Sequence, residues 1–423
     1  MRLLYLLAVY LAAPAHAATL AWRGLRERGQ PHGLGERFGF GAPVPGRPLW
    51  VHAASVGEVQ AAAAVVTGLR RRFAERPMLI TTFTATGAVR ARRLGPGVTV
   101  RYLPYDLPGS VQRFLERVRP CMGVILETEL WPTLYRECHR RGIPLAIASA
   151  RLSERSLRRY RRLGGLFKDT LAAATVVAAQ SDEDAARFRA IGAAADRTHV
   201  IGNIKFDVAL PEDLSDHGRR LREHYAAERA LWVAGSTHEA EEAAVVEAHR
   251  RVRQRLPEAL LALAPRHPGR FGEVAALLEA RGVRYVRHSQ APSRETAGRS
   301  EVLLVDTLGE LLAFYAAADA AFVGGSLVPI GGHNLLEPAS LGRPVLTGPH
   351  LFNGAEVARI LVGRGAAAIV HDATGLGERM SEWLDDAGLR ARIGAEGLAA
   401  VRDNRGAVER LLRLIEPLCP PTE

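Results

Sequence analysis

MGVILETELWPTLYRECHRRGIPLAIAS, residues 122–149, reads as strand, loop, helix and strand. The run MGVILE is continuously apolar until its last residue, as in a strand covered on both faces. TELWP is a polar, proline-ended loop. TLYRECHRRG then carries Leu134, Tyr135 and Cys138 at helical spacing and finishes in basic residues. PLAIAS returns as a second apolar run. Two strands joined through a crossover helix become parallel neighbours.

The unit recurs on both sides of this stretch. Upstream, LWVHAA leads into SVGE and VQAAAAVVTGLRRRF, and MLITT into FTATG and AVRARRL. Downstream, TVVAAQ leads into SDEDAARFRAIG. VIGNIKFDVALPEDL, residues 200–214, breaks the rhythm and reads as a linker. The pattern restarts with ALWVAG before STHEAEEAAVVEAHRRV, then ALLALAP, EVLLVD, AAFVGG, PVLTG and AAAIV. The expected fold is α/β, with two doubly wound, Rossmann-like domains facing a central cleft. The expected boundaries are a membrane-anchor helix at 1–22, a first domain at 23–203, a linker at 204–214 and a second domain at 215–423. Ligands of such sheets bind beyond the carboxyl ends of the strands, where this chain gathers its polar and glycine residues.

An apolar content of 48% and a charged content of 24% are those of a globular protein rather than a disordered one. The net charge of +11 comes almost wholly from arginine, with lysine only at positions 168 and 205. Such a balance suits an anionic partner, whether nucleic acid, a membrane surface or a phosphorylated substrate. Aromatic residues make up 6%, too few for a base-stacking platform, so nucleic acid is not expected. Cys121, Cys138 and Cys419 are scattered and odd in number, which fits a reducing compartment and gives neither a disulfide framework nor zinc spacing.

Residues 3–22 are nearly uncharged, and Arg2 alone precedes them while Arg23, Arg26 and Arg28 follow. That asymmetry keeps the bulk of the chain on the cytoplasmic side of a membrane anchor. Pro14, His16 and the many alanines leave open a spanning helix, an interfacial helix, a cleaved signal and an ordinary buried helix.

Lysine follows no glycine here, and the sequence has no GxGxxG or GxSxG, so phosphate-loop, dinucleotide and nucleophile-elbow chemistries are not indicated. The candidate chemistry lies in the loops. In GGSLVPIGGHNLLEPASLGRPVL, residues 324–346, Gly331 and Gly332 let backbone approach a ligand closely. Asn334 reads as an N-cap with Glu337 at the third helical position, and a helix start there would attract phosphate. Capping and ligand binding both account for these residues. Glu337 also suits the two hydroxyls of a ribose. Arg266 and His267 follow a strand end, Ser236 and Thr237 open a helix, and Thr307, Gly309 and Glu310 follow a further strand. Lys205, in the linker, offers a compact point charge. Glu58 stands in the first turn after SVG, where the helix dipole also favours it. Glu127 and Glu129, at a strand end, are expected to point to opposite faces and not to act as one acid/base pair. Glu36 lies in a glycine-flanked segment just after the anchor, with Arg37 as a solvated neighbour.

Eleven blocks give this pattern a family resemblance. The segment 324–353 is similar to the nucleotide-binding segment of the lipid A-specific 3-deoxy-D-manno-octulosonic acid (Kdo) transferases. GERFGF (35–40), HAASVGEVQAA (52–62), TTFTATG (81–87), YLPYD (102–106), ETELWP (127–132), SARLSERS (149–156), GNIKFD (202–207), STHEAEE (236–242), APRHPGRF (264–271) and DTLGEL (306–311) resemble that family in order. The resemblance implies the GT-B glycosyltransferase fold and an inverting, metal-independent transfer of Kdo from CMP-Kdo to a lipid A precursor at the inner membrane, with no cofactor. It implies Glu36 as general base. It implies a nucleotide-sugar site of Lys205, Ser236, Thr237, Arg266, His267, Thr307, Gly309, Glu310, Gly331, Gly332, Asn334 and Glu337, and acceptor contacts at Ser55, Glu58, Glu127 and Glu129. A GT-B enzyme using another nucleotide sugar and a non-catalytic membrane adaptor are the alternatives.

Overall fold

Seven parallel strands form the first sheet, in the order β3-β2-β1-β4-β5-β6-β7. They are β1 (Leu49–His52), β2 (Met78–Thr82), β3 (Val98–Tyr102), β4 (Met122–Leu126), β5 (Leu145–Ala150), β6 (Val176–Ala179) and β7 (Thr198–Val200). The computed structural model describes residues 1–26, 33–208 and 210–419. Successive side chains of β1 enter opposite layers. Leu49 and Val51 pack with Val59, Val66 and Leu69 of helix Val56–Arg72. Trp50 packs with Val111 and Leu115 of helix Pro108–Val118 and with Leu134 of helix Pro132–Arg140. Each such side chain contributes about 1.5–3 kcal/mol on burial. Both faces are therefore apolar, which is why MGVILE shows no alternation.

The second unit repeats the scheme, in the order β10-β11-β9-β8-β12-β13-β14. Its strands are β8 (Leu231–Thr237), β9 (Leu260–Pro265), β10 (Tyr285–Arg287), β11 (Val302–Leu304), β12 (Ala320–Val323), β13 (Val345–Thr347) and β14 (Ala367–Ile369). The core joins Trp232, Ala234, Leu261 and Phe322 to Val245 and Val252 of helix Glu241–Arg255. In both sheets the strand order reverses beside the first strand, between β1 and β4 and between β8 and β12. Those are the switch points where crevices open.

Three strands, β3, β7 and β10, go beyond the sequence reading. All three lie at sheet edges, with partly exposed residues that dilute the apolar signal.

The unit boundaries also differ from those read along the chain. The first unit is Met1–Asp207 with Asn404–Glu423, and the second is Val208–Asp403. Residues 204–206 are not linker, because Ile204 and Phe206 are buried in the first unit. The chain end returns there too. Asp207 accepts hydrogen bonds from Gly406 N and Val408 N, both at 2.6 Å, at the start of helix Ala407–Ile415. That return brings Cys419 within 3.5 Å of Cys121, Sγ to Sγ, as free thiols.

The N-terminal helix, Arg2–Arg26, docks on the first unit. Tyr5 donates to Asp106 at 2.7 Å, and Ala13 packs with Tyr105 and Leu107. Its other side exposes Leu3, Leu4, Leu7, Tyr10 and Leu11. Among the described residues no helix is long and apolar enough to cross a membrane. Arg28 lies outside the described residues.

Candidate functional site

At the switch point of the first sheet, Ser55 caps helix Val56–Arg72. Ser55 Oγ accepts from Glu58 N at 3.3 Å and donates to Glu58 Oε1 at 2.9 Å. Glu58 Oε2 accepts from Ala54 N, one residue before the N-cap, at 2.8 Å, a variant of the capping box. Burial pushes the Glu58 carboxyl up to about 7. The Ala54 and Ser55 hydrogen bonds oppose that rise, and the charges of Glu127 and Glu129 add to it. The first-turn position read from sequence therefore holds a capping side chain that also faces two other carboxylates.

Glu127 and Glu129, after β4, complete that group. Their expected divergence does not hold. Residues two apart on a strand share a face, and here β4 has already ended at Leu126 with Glu127 at φ 56, so no pleat separates the pair. Burial raises the Glu129 carboxyl, a hydrogen bond from Trp131 at 3.0 Å lowers it, and Glu127 raises it further. Lys205 belongs with this group. Its Nζ lies 3.0 Å from Glu127 Oε1, and Asn203 Oδ1 accepts from its backbone N–H. Three carboxylates and one ammonium thus collect beyond β1 and β4.

Glu36 lies on the short helix Leu34–Arg37. Its Oε2 accepts from Tyr102 N at 2.8 Å, and its Oε1 is 3.3 Å from an Arg101 guanidinium nitrogen. A carboxylate has about four lone-pair directions, so these contacts orient Glu36 without using all its acceptor capacity. The Glu36 side chain remains 26% exposed and borders a shallow depression with Gly39, Gly41, Arg101 and Arg117. Arg37 is not the solvated neighbour read from sequence. It is buried, lies over the rings of Phe83 and Tyr102, and donates to Phe83 O at 2.6 Å. Gly33, at φ 56, precedes the helix, and a Cβ there would meet the Tyr102 ring at 2.1 Å.

The second sheet carries its polar residues along one edge, in strand order. Beyond β11, Gly309 adopts φ 93 in open space. Glu310 lies 3.2 Å from His288, whose Nδ1 is 2.7 Å from Tyr225 Oη. Burial acts to raise the Glu310 carboxyl, but Thr307 and His288 outweigh it and hold the group low. Beyond β9, Arg266 and His267 are exposed, and Arg266 N donates to Thr237 O at 2.9 Å. At the end of β8, Ser236 has φ 57 and the register to β9 shifts. Thr237 is buried, and its Oγ1 has no hydrogen-bond partner among the described residues.

Between β8 and β12 the organising residue is Glu241, which the sequence reading missed. Fully buried, it accepts four backbone N–H bonds, from His238 at 2.9 Å, Gly325 at 2.7 Å, and Ser326 and Leu327 at 2.9 Å each. It ties the 236–240 turn to the glycine-rich loop. The only sequence signal was an acidic residue at a helix start, which the dipole alone explains. His238 and His333 were also missed as a pair. Their Nε2 atoms are 2.8 Å apart, although 95 residues separate them in the chain.

The 331–337 segment differs from its sequence reading. Gly331, at φ 111, and Gly332, at φ 76, accommodate the chain itself. A Cβ on Gly331 would meet Asn353 Nδ2 at 2.4 Å and Phe352 at 2.5 Å, and one on Gly332 would meet Leu351 at 2.9 Å. Asn353 N donates to Gly331 O at 3.0 Å. The helix that follows, Leu336–Ala339, has four residues, too few to build a useful dipole, so its start is no anion site. Asn334 Oδ1 accepts from Leu336 N at 3.1 Å, and its Nδ2 donates to Glu337 Oε1 at 3.2 Å, which orients the Glu337 carboxylate.

Comparison with known proteins gives the site its context. Residues 32–208 match the family model described as 3-deoxy-D-manno-octulosonic-acid transferase (kdotransferase). The 3-deoxy-D-manno-octulosonic acid transferase of Haemophilus influenzae is 38% identical over 91% of this chain and 91% of its own length. The enzyme of that name from Bordetella pertussis is 40% identical over 96% of this chain and 98% of its own. The solved UDP-GlcNAc 2-epimerase of Neisseria meningitidis, at 12% identity, covers 88% of this chain and all of its own with a TM-score of 0.59, a likeness of fold.

Proposed function

The chain belongs to the 3-deoxy-D-manno-octulosonic acid transferase family, and from that premise we propose that it transfers Kdo from CMP-Kdo to a lipid A precursor with inversion at the anomeric carbon. It is a glycosyltransferase of lipopolysaccharide core biosynthesis. The observation that carries the substrate reading is identity of 38–40% to such transferases over more than nine-tenths of the chain. No cofactor enters the scheme, since the donor brings its own leaving group.

The first unit takes the acceptor and the second the donor. Glu36 receives the proton of a glucosamine hydroxyl. Tyr102 N–H and Arg101 keep its carboxylate oriented, which lowers the cost of aligning it for proton transfer. Arg101 and Arg117 beside it supply positive charge for a phosphorylated lipid. The freed oxygen attacks the anomeric carbon, and CMP leaves with the bonding pair. Arg266 and His267, beyond β9, meet the leaving phosphate, Glu337 holds the ribose, and Thr307, Gly309 and Glu310 lie on the base side. Glu58, Glu127 and Glu129 line the acceptor side, and Lys205, held by Glu127, supplies a cation to the donor's phosphate.

The exposed apolar face of helix Arg2–Arg26 fits an interfacial anchor. Its opposite face is committed to Asp106, Tyr105 and Leu107, which leaves Leu3, Leu4, Leu7 and Leu11 for lipid. The deciding experiment incubates the protein with CMP-Kdo formed in situ and a tetraacylated lipid A precursor, then weighs the products. An acceptor heavier by Kdo residues is expected; an acceptor of unchanged mass, or turnover with a UDP-sugar instead, overturns the reading. E36Q should abolish transfer while leaving CMP affinity within about twofold; turnover near that of the parent would remove Glu36 from the mechanism.

A further inference from the structure

The pair His238 and His333 has no role in the scheme above. Their Nε2 atoms stand 2.8 Å apart, the ring planes differ by 5°, and the centroids are 5.1 Å apart. Rings that are nearly parallel and touch through these nitrogens lie edge to edge, not face to face. A single proton fits between the two atoms, so one ring donates and the other accepts.

We propose that this imidazole pair is a proton-accepting contact for the donor's phosphate, holding one added proton when the phosphate becomes a dianion. The proposal rests on the donor reading of the second unit.

Both rings are fixed by backbone. His238 N donates to the buried Glu241, which also binds Gly325 N, and His333 N donates to Gly324 O at 3.2 Å. A Cβ on Gly325 would meet the His333 ring at 2.8 Å, so a glycine there makes room for the pair. Both residues stay partly open to solvent, beside exposed Arg266 and His267. Preorganised groups of this kind stabilise developing charge without reorganising.

The groups facing the pair set its resting state. Burial holds His333 down to about 4, and Arg266, His238 and His267 press it the same way. Burial also lowers His238, with Glu241 opposing and His267, Arg266 and Arg270 adding. At neutral pH the pair is therefore uncharged and carries one ring proton on each imidazole. The added proton goes to Nδ1 of the donating ring, which gives an imidazolium–imidazole pair and keeps the Nε2–H···Nε2 bond. A second added proton would break that bond.

The step balances. The bond from the sugar's anomeric carbon to the phosphate oxygen breaks, and its electron pair leaves on CMP. The acceptor's hydroxyl proton goes to Glu36. The pair's proton comes from solvent, drawn by a phosphate whose second ionisation lies near pH 6.

Calorimetric titration of CMP at pH 7.5, in two buffers of different ionisation enthalpy, tests this, because CMP is then already a dianion. The parent protein should take up on the order of half a proton or more per CMP, with affinity rising by at most about tenfold per pH unit as pH falls. H238N and H333N should each bind CMP more weakly, by about tenfold, with uptake near zero. Two variants are used so that a folding defect in one leaves the other informative. H139N, which alters an exposed ring on helix Pro132–Arg140 of the first unit, should keep the uptake. CMP bound by the parent with no linked proton, or uptake retained in both H238N and H333N, overturns the proposal. Failure of CMP to bind the parent overturns the donor reading and this inference with it.

Discussion

Replacing Glu241 by Gln tests how the donor-side loops are held. The carboxylate takes Ser326 and Leu327 N–H on Oε1, and His238 and Gly325 N–H on Oε2. An amide keeps one acceptor oxygen, so one pair of donors stays bonded. The other pair would face the amide's own N–H groups in a site closed to water. Each hydrogen bond to a charged group is worth about 1.5–3 kcal/mol, so losing two costs about 3–6 kcal/mol. The loss is local, because the strands below are held by their own core. Hydrogen exchange read by mass spectrometry suits it better than bulk unfolding, which is not two-state for a chain of two units. Peptides covering 236–242 and 324–330 should exchange on the order of a hundredfold faster or more, while peptides from β4 and helix Pro132–Arg140 stay unchanged. E242Q is the control, since Glu242 pairs with Arg270 at 3.3 Å and binds neither loop. A folded E241Q whose two loops exchange at the parent's rate would refute the view that this carboxylate ties them.

Glu58 gives a pH signature with a definite sign. Its carboxyl is raised in the folded chain to about 7 from 4.5, so its contribution is fully present below pH 4.5 and is lost as pH rises through 7. The loss is roughly 3 kcal/mol at most. E58Q should flatten the fall in thermal stability between pH 5 and 8, and an E58Q curve parallel to the parent's would contradict the shift. G331A combines a strained φ with a clash against Asn353 and Phe352, and should cost about 2–4 kcal/mol. G309A has strain but open space and should cost about 1–2 kcal/mol. Equal drops in Tm would remove the packing explanation. L4D/L7D/L11D changes only the exposed face of the N-terminal helix and should weaken binding to anionic vesicles about tenfold or more in flotation. Unchanged flotation would dismiss that face as a lipid contact.

The sequence by itself determined the α/β alternation, most of the strands and the family, because fully covered strands are continuously apolar and their loops carry polar residues in fixed order. It could not determine β3, β7 and β10, whose half-exposed edges look like loop. Nor could it show that Asp207 and the returning end meet, since Asp207 and Val408 are 201 residues apart. The roles of individual side chains needed the tertiary structure most. Glu127 and Glu129 lie past the end of β4, and only the fold shows that both charges act on Glu58 and that Glu127 takes Lys205. Gly331 and Gly332 looked reserved for a ligand, yet the neighbouring 351–353 loop occupies that space. Glu241 looked like a first-turn acid, and the four amide groups that give it its function come largely from residues some 85 positions away. Local pattern reports burial and turn chemistry; which distant backbone a buried charge will satisfy is decided only when the chain closes on itself.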